Sequence, residues 1–371
     1  MKHLLLLFFA LNLSLGFANM ASPVMEGTQS CAALSSRDVD ILKEKINIQL
    51  DSDFRTASYS IEYLIHSDVI GNQIPLLFLA KDYKGDFKVW VDGKETQLQV
   101  IPPAYAKASG TPFENFARYF QSLLNIEDFK SVSIAWDEGH STDYDLNDLK
   151  YFEVDLTKGE HTIKVEYEAE VWVNVGDWVK EYSFRYSVSP AEHWGSFGDL
   201  EVTINSAAFH HEFTTNMGEP KSGDIKNTAQ WNFNKLPFDC LTIKYTPKVS
   251  SLANTFINAG PISFTVVIGL LIILLHYLSI RKYRKGFPEK KFSFVVIAGS
   301  IINSFLILAA YPVSYLLINS IIGSEAGGRI GGYSFLMVIF YPLLLPVYWT
   351  CMWLVDRFIK GKLNKSGTAG K

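Results

Sequence analysis

Between residues 21 and 250 apolar side chains recur at every second position, the spacing of strands buried on one face. Ile46, Ile48 and Leu50 begin the series, and Tyr59, Ile61, Tyr63 and Ile65 continue it. Phe87, Val89 and Val91 then run into Asp92-Gly93, a pair that marks a hairpin turn. Further sets follow at Ile163, Val165 and Tyr167; Val171, Val173 and Val175; Tyr182, Phe184, Tyr186 and Val188; and Leu200, Val202 and Ile204. Trp231 with Phe233, and Leu241 with Ile243 and Tyr245, close the series. About ten short strands with polar partners predict antiparallel sheets packed face to face as a sandwich. The length suggests two β-rich subdomains, residues 21–150 and 151–250. One stretch breaks the alternation: Phe113, Phe116, Ala117, Phe120 and Leu124 recur at three and four behind Pro112, which predicts a short amphipathic helix near 112–124.

Beyond a small-residue linker at 251–260, three apolar stretches, 261–280, 292–322 and 332–355, are long enough to cross a hydrocarbon core of about 30 Å. Residues 281–291 carry Arg281, Lys282, Arg284, Lys285, Lys290 and Lys291 against Glu289, whereas 323–331 carry Glu325 and Arg329. The first connection therefore belongs in the cytoplasm together with the tail 356–371, and the second outside. At the other end, Lys2 and His3 precede an apolar run from Leu4 to Leu15 and then Gly16, Phe17 and Ala18. This is the pattern of a signal peptide over 1–18, and it places the β region outside the cytoplasm. His276, one turn from the cytoplasmic end of the first span, is expected to snorkel to the interface. Ser300, Asn303 and Ser304 are placed to pack helices.

Charge follows the same division. Residues 1–260 hold 22 Lys and Arg against 35 Asp and Glu, and residues 261–371 hold 12 against 3. An acidic β region argues against nucleic acid as a partner. Of the three cysteines, Cys351 falls in the third span. Cys31 and Cys240 can pair in an oxidising compartment, where closing a loop of about 210 residues stabilises by roughly 5 kcal/mol in the chain-entropy model.

No sequence motif assigns catalysis. His210, His211 and Glu212 begin a zinc-protease spacing, but Thr215 stands where the second histidine is required, so the His pair remains only a weak metal candidate. Asp143, Asp145, Asn147 and Asp148 resemble a calcium loop in which Asp148 takes the glycine position and Val154 the final one. The motif fails, leaving a looser calcium site with Asp137 and Glu138 as the one cofactor to consider. Ser189, His193 and Asp199 have the residue types of a triad without a nucleophile elbow. Trp90 and Trp172 sit at polar-phase positions, where an exposed indole can meet a protein or glycan partner.

From Tyr186 to Ile204 the chain reads as strand, corner and strand, with Pro190, Trp194, Gly195 and Gly198 at the bend. Together with Phe87-Lys88-Val89-Trp90-Val91-Asp92-Gly93-Lys94, this segment resembles uncharacterised bacterial envelope proteins with a β-rich ectodomain, over about residues 44–205. The resemblance implies a compartment and a β-sandwich and carries no catalytic residue across. These readings lead to an expected fold: a mainly β, sandwich-type extracytoplasmic domain with one short helical insertion, followed by three transmembrane helices in a bacterial inner membrane. The expected function is a non-enzymatic binding or scaffold protein of the envelope. One alternative is an accessory subunit of a transporter or envelope-biogenesis complex; another is an envelope-polymer hydrolase.

Overall fold

The computed structural model describes residues 24–33, 39–68, 71–99, 120–122, 130–137, 140–145, 148–193, 196–329 and 331–368. The signal-peptide segment 1–18 lies outside them. The longer strands are β1 (Val39–Leu50), β2 (Thr56–Ser67), β3 (Gly71–Lys81), β4 (Tyr83–Val91), β5 (Lys130–Asp137), β6 (His140–Asp145), β7 (Leu149–Leu156), β8 (Gly159–Glu170), β9 (Glu181–Ser187), β10 (Phe197–Asn205), β11 (Thr228–Phe233) and β12 (Cys240–Tyr245). The largest sheet has eight strands. Its six long members run β11–β10–β1–β2–β8–β4, with Ser222–Gly223 and Lys94–Thr96 on the edges. Every pairing in it is antiparallel except β10 with β1. β2 and β8 pair over twelve consecutive positions, from Thr56 with Glu170 to Ser67 with Gly159. Since β8 also pairs with β4, the chain on both sides of residue 150 shares one sheet. The expected division there is replaced by a single β unit comprising 1–174 and 181–245.

The alternation produces the packing. Ile46, Ile48, Tyr59, Ile61, Tyr63, Ile163, Val165, Val202 and Ile204 all point into one core. Facing them are Phe184 and Tyr186 of β9, Leu241 and Ile243 of β12, Phe78 of β3 and Phe152 of β7, with ring contacts such as Phe54 to Phe184 at 5.0 Å. This second layer is buried on its other face as well. There Leu79, Tyr151, Cys31 and Cys240 meet Trp136, Tyr144 and Trp172 under the β5–β6 hairpin. The expected helix near 112–124 is corrected in part: Phe120–Ser122 is a strand paired with β5, a case of tertiary pairing overriding local spacing. Its other positions lie outside the described residues.

A register shift at Leu42, between Ile41 and Lys43, lets β1 bury Val39 and Ile41 before it and Glu44, Ile46 and Ile48 after it. Gly198 of the predicted corner meets this irregularity: a Cβ there would lie 2.1 Å from the Leu42 carbonyl oxygen. Gly198→Ala must push two backbones apart, so it is expected to cost about 2 kcal/mol or more in chemical denaturation, whereas Gly93→Ala at an open turn loses less. Pro190, also at the corner, is buried in a 3-10 turn, Ser189–His193. Trp194 and Gly195 lie outside the described residues.

The second unit comprises 175–180 and 246–371. It holds α1 (Ser251–Gly286), α2 (Phe294–Ile322) and α3 (Tyr341–Thr368), with a 3-10 turn at Ser334–Phe340 before α3. Three helical segments, 251–286, 294–322 and 334–363, are long and apolar enough to span a membrane. The expected linker 251–260 is helical instead. Ser250 caps it by accepting from the Ala253 amide at 3.1 Å, and Gly260 (φ 68°) with Pro261 kinks it. Ser300 and Ser304 are buried on α2, as their helical spacing predicts. His276 does not snorkel. It is 3% exposed, accepts at Nδ1 from the Tyr348 hydroxyl (3.1 Å) and donates from Nε2 to the Val295 carbonyl (3.1 Å). Gly299 makes room for the ring, since a Cβ there would lie 2.3 Å from Nε2.

Candidate functional site

The outer face of the eight-stranded sheet carries polar side chains in two rows that cross the strands. One row is Thr203, Asn47, Ser60, Glu166 and Lys88, on β10, β1, β2, β8 and β4 in turn. The other is Thr228, Asn205, Gln49, Ser58, Glu168 and Lys84, beginning one strand further out on β11. Six strands at about 4.8 Å give this second row a reach of about 24 Å. Each row passes from neutral amides and hydroxyls to a carboxylate and then an ammonium.

The β4 end of the rows is shaped by an irregularity. Between the Glu166–Lys88 and Glu168–Lys84 pairs, Tyr167 faces three residues, Gly85, Asp86 and Phe87, and Gly85 adopts φ 65°. Such a bulge bends its strand and adds twist. The rows and the bulge line one open depression of about 660 Å³. Ion pairs hold its charged end, with Lys164 Nζ 2.7 Å from Glu166 Oε1 and Lys84 Nζ 3.1 Å from Glu170 Oε1. Ser60 Oγ donates to Glu166 Oε1 at 3.3 Å. Tyr59 and Tyr167 lie buried beneath the floor, so the depression presents hydrogen-bonding groups with no exposed ring.

The residues singled out from sequence lie outside this lining, although Trp90 shares the outer face and flanks its charged end. Trp90 is half-buried on β4, with Lys164 Nζ 5.4 Å from its ring centroid. Trp172 is not an exposed partner contact: it is 4% exposed, donates from Nε1 to the Thr28 carbonyl at 2.9 Å and packs on Trp136. The third layer formed by the β5–β6 hairpin is what covers it, and alternation along one strand gives no sign of such a layer. Cys31 and Cys240 are not joined in a disulfide. Ser187 pairs with Cys31 on one side and Cys240 on the other. An intervening strand sets the two Cα atoms about 10 Å apart, beyond the reach of a disulfide. Burial pushes the Cys31 thiol up to about 12, partly offset by the Leu79 backbone hydrogen bond.

Ser189 Oγ lies 2.9 Å from Ser187 Oγ, and Asp199 is exposed on β10. The side chains of Glu192 and His193 lie outside the described residues. His210 and His211 are exposed, and the His211 ring stacks on Tyr245 at 5.7 Å. Asp143 is exposed, while Asp137, Glu138, Asp145 and Asn147 have no described side chain.

No protein-family model matches this chain, and no curated protein matches it. Solved structures similar to it include native yeast LTA4 hydrolase, at 10% identity over 59% of this chain and 30% of that one, with a TM-score of 0.31. An M1 zinc metallopeptidase from Deinococcus radiodurans is similar at 8% identity over 57% of this chain and 43% of that one, with a TM-score of 0.26. Native leukotriene A4 hydrolase from Saccharomyces cerevisiae gives 10%, 57%, 30% and 0.29 in the same order. The chain spans less than half the length of each. All three are enzymes, so the expectation of a non-enzymatic binding or scaffold protein is withdrawn. They transfer no residue and no activity to this chain. Zinc hydrolysis requires three protein ligands around an open position. Among the described residues no three His, Cys, Asp or Glu side chains gather, so they do not fit that metal.

One chemically distinctive cluster escaped the sequence reading. Glu44, on β1, is fully buried. The Ala33 amide donates to the Tyr63 hydroxyl at 3.3 Å, and the Tyr63 hydroxyl lies 2.8 Å from that of Tyr186, which donates to Glu44 Oε1 at 3.0 Å. Glu44 Oε2 has no hydrogen-bond partner among the described residues. Burial pushes its carboxyl up to about 7, against the pull of the Tyr186 and Tyr63 hydrogen bonds. The available signal was its phase: position 44 falls on the inward side with 46, 48 and 50, where a charged residue is out of place.

Proposed function

We propose that this chain engages polar peptides at the outer surface of a bacterial inner membrane, holding them across the eight-stranded sheet for processing there. The observation that carries this reading is the pair of polar rows. Their amides and hydroxyls suit the hydrogen-bonding groups of a peptide backbone, and their mixed charges suit a charged side chain or terminus. The longer row matches about seven extended residues at roughly 3.3 Å each. A peptide is favoured over a glycan because, among the described residues, no exposed aromatic ring lines the depression for a sugar to stack on. The apolar run at 4–15 supports export of the β unit. The basic connection between α1 and α2 supports a cytoplasmic position for that end of the helices.

The test uses the full-length protein in detergent and a pool of fluorescein-labelled octapeptides rich in Ser, Asn, Lys and Glu, with chitohexaose as the glycan comparison. Anisotropy should rise saturably with the peptides. The Asn47→Leu and Ser60→Leu double variant should lose at least tenfold in affinity with its far-ultraviolet circular dichroism unchanged. Mass spectrometry of the same mixtures reads out any cleavage. Saturable binding of chitohexaose without peptide binding would overturn the assignment.

A further inference from the structure

At one end of the helical unit, Arg284 of α1 and Asp356 of α3 form a buried pair, with Arg Nε to Asp Oδ1 at 2.7 Å and Nη2 to Oδ2 at 2.5 Å. Arg284 Nη1 also donates to the Lys290 carbonyl at 2.6 Å, and Lys360 Nζ donates to the same oxygen at 3.1 Å. Two cationic side chains, Arg284 and Lys360, therefore converge on a single carbonyl in the α1–α2 connection. Asp356 neutralises one of them. The stretches 281–291 and 356–362 hold nine Lys and Arg against only Glu289 and Asp356, so this end of the unit is strongly positive.

The rings beside these cations are exposed. Lys290 Nζ lies 4.7 Å from the Phe287 centroid, Lys291 Nζ 5.5 Å from Phe292, and the Arg357 guanidinium 4.2 Å from Trp353. Phe287 is 50% and Phe292 70% exposed, next to helices apolar enough to span a bilayer. Rings at this depth sit at the boundary between acyl chains and headgroups, which brings the neighbouring ammonium groups to the level of lipid phosphates. A neutral headgroup leaves their mutual repulsion in place, and an anionic one relieves it.

We propose that this end of the helical unit is a binding site for the headgroup of an anionic phospholipid, built on the Arg284–Asp356 pair and presented by Lys290, Lys291 and Arg357. The site does not depend on what the β unit binds. Full-length protein stripped of lipid in neutral detergent is to be titrated with phosphatidylglycerol, phosphatidylcholine or inorganic phosphate. Thermal unfolding and native mass spectrometry of retained lipid are the readouts. Phosphatidylglycerol should raise the melting temperature saturably and remain bound, and phosphatidylcholine should do neither. Lys290→Gln with Lys291→Gln should weaken the response roughly 25-fold, about fivefold per lysine. Lys244→Gln in the β unit, a folding control, should keep it. Equal responses to the two lipids, or a full response from the double variant, would overturn the proposal. A stabilisation by inorganic phosphate equal to that by phosphatidylglycerol would assign the site to a soluble anion instead.

Discussion

Glu44→Gln is expected to make the β unit more stable at pH 8 while leaving it nearly unchanged at pH 4. In the folded chain the Glu44 carboxyl ionises near 7, and in the unfolded chain near its ordinary 4.5. A group whose folded value is raised contributes its full stability below the unfolded value and loses it as pH rises through the folded one. The wild-type chain should therefore weaken between about pH 4.5 and 7 and stay flat above that range, a loss of about 3 kcal/mol at full extent. The cause is a charge forming in a core with one bonded oxygen and one orphaned oxygen. Glutamine retains the acceptor for Tyr186 and cannot ionise. Urea unfolding followed by tryptophan fluorescence at pH 4 and pH 8, on the full chain in detergent, provides the comparison. Parallel pH slopes for wild type and variant would show that Glu44 does not titrate in this window.

A loss of similar size is expected in the helical unit on removing either partner of the Arg284–Asp356 pair. Arg284 is 1% exposed and Asp356 5%. Truncating one leaves the other charged and unpaired in a dry site, which costs about 3–5 kcal/mol. Arg284→Ala also removes one of the two donors to the Lys290 carbonyl, so the α1–α2 connection should loosen with it. The double variant Arg284→Met with Asp356→Leu fills the space without charge and should recover much of the loss. Thermal unfolding by circular dichroism at 222 nm measures all three. Additive single losses in the double variant would mean that the two side chains act independently.

The parts of this fold that were legible in sequence are those governed by a short period. Ile46 to Leu50, Tyr59 to Ile65 and Ile163 to Tyr167 announced their strands because every second residue meets the same core. The three apolar spans were legible by length alone. What stayed hidden depends on partners far along the chain. Trp172 was read as exposed because nothing nearby signals that the β5–β6 hairpin will cover it. Cys31 and Cys240 were read as partners because two cysteines in one region invite pairing, and only sheet order reveals Ser187 between them. Arg284 was read as one charge among several in a basic loop, since the aspartate that buries it lies 72 residues away. The polar rows were invisible for the same reason. Asn47, Ser60 and Glu166 become neighbours only once the strand order and register are fixed.

The parallel pairing of β10 with β1 places residues more than 150 positions apart side by side near the middle of the largest sheet. During synthesis, β1 emerges long before the strand that must lie against it, and β11 and β12 follow later still. The sheet cannot close until Phe233 has left the ribosome, and the first apolar helix begins at Ser251, fewer than twenty residues further on. A chain truncated before β10 would expose an unpaired, apolar-backed edge of the kind that aggregates.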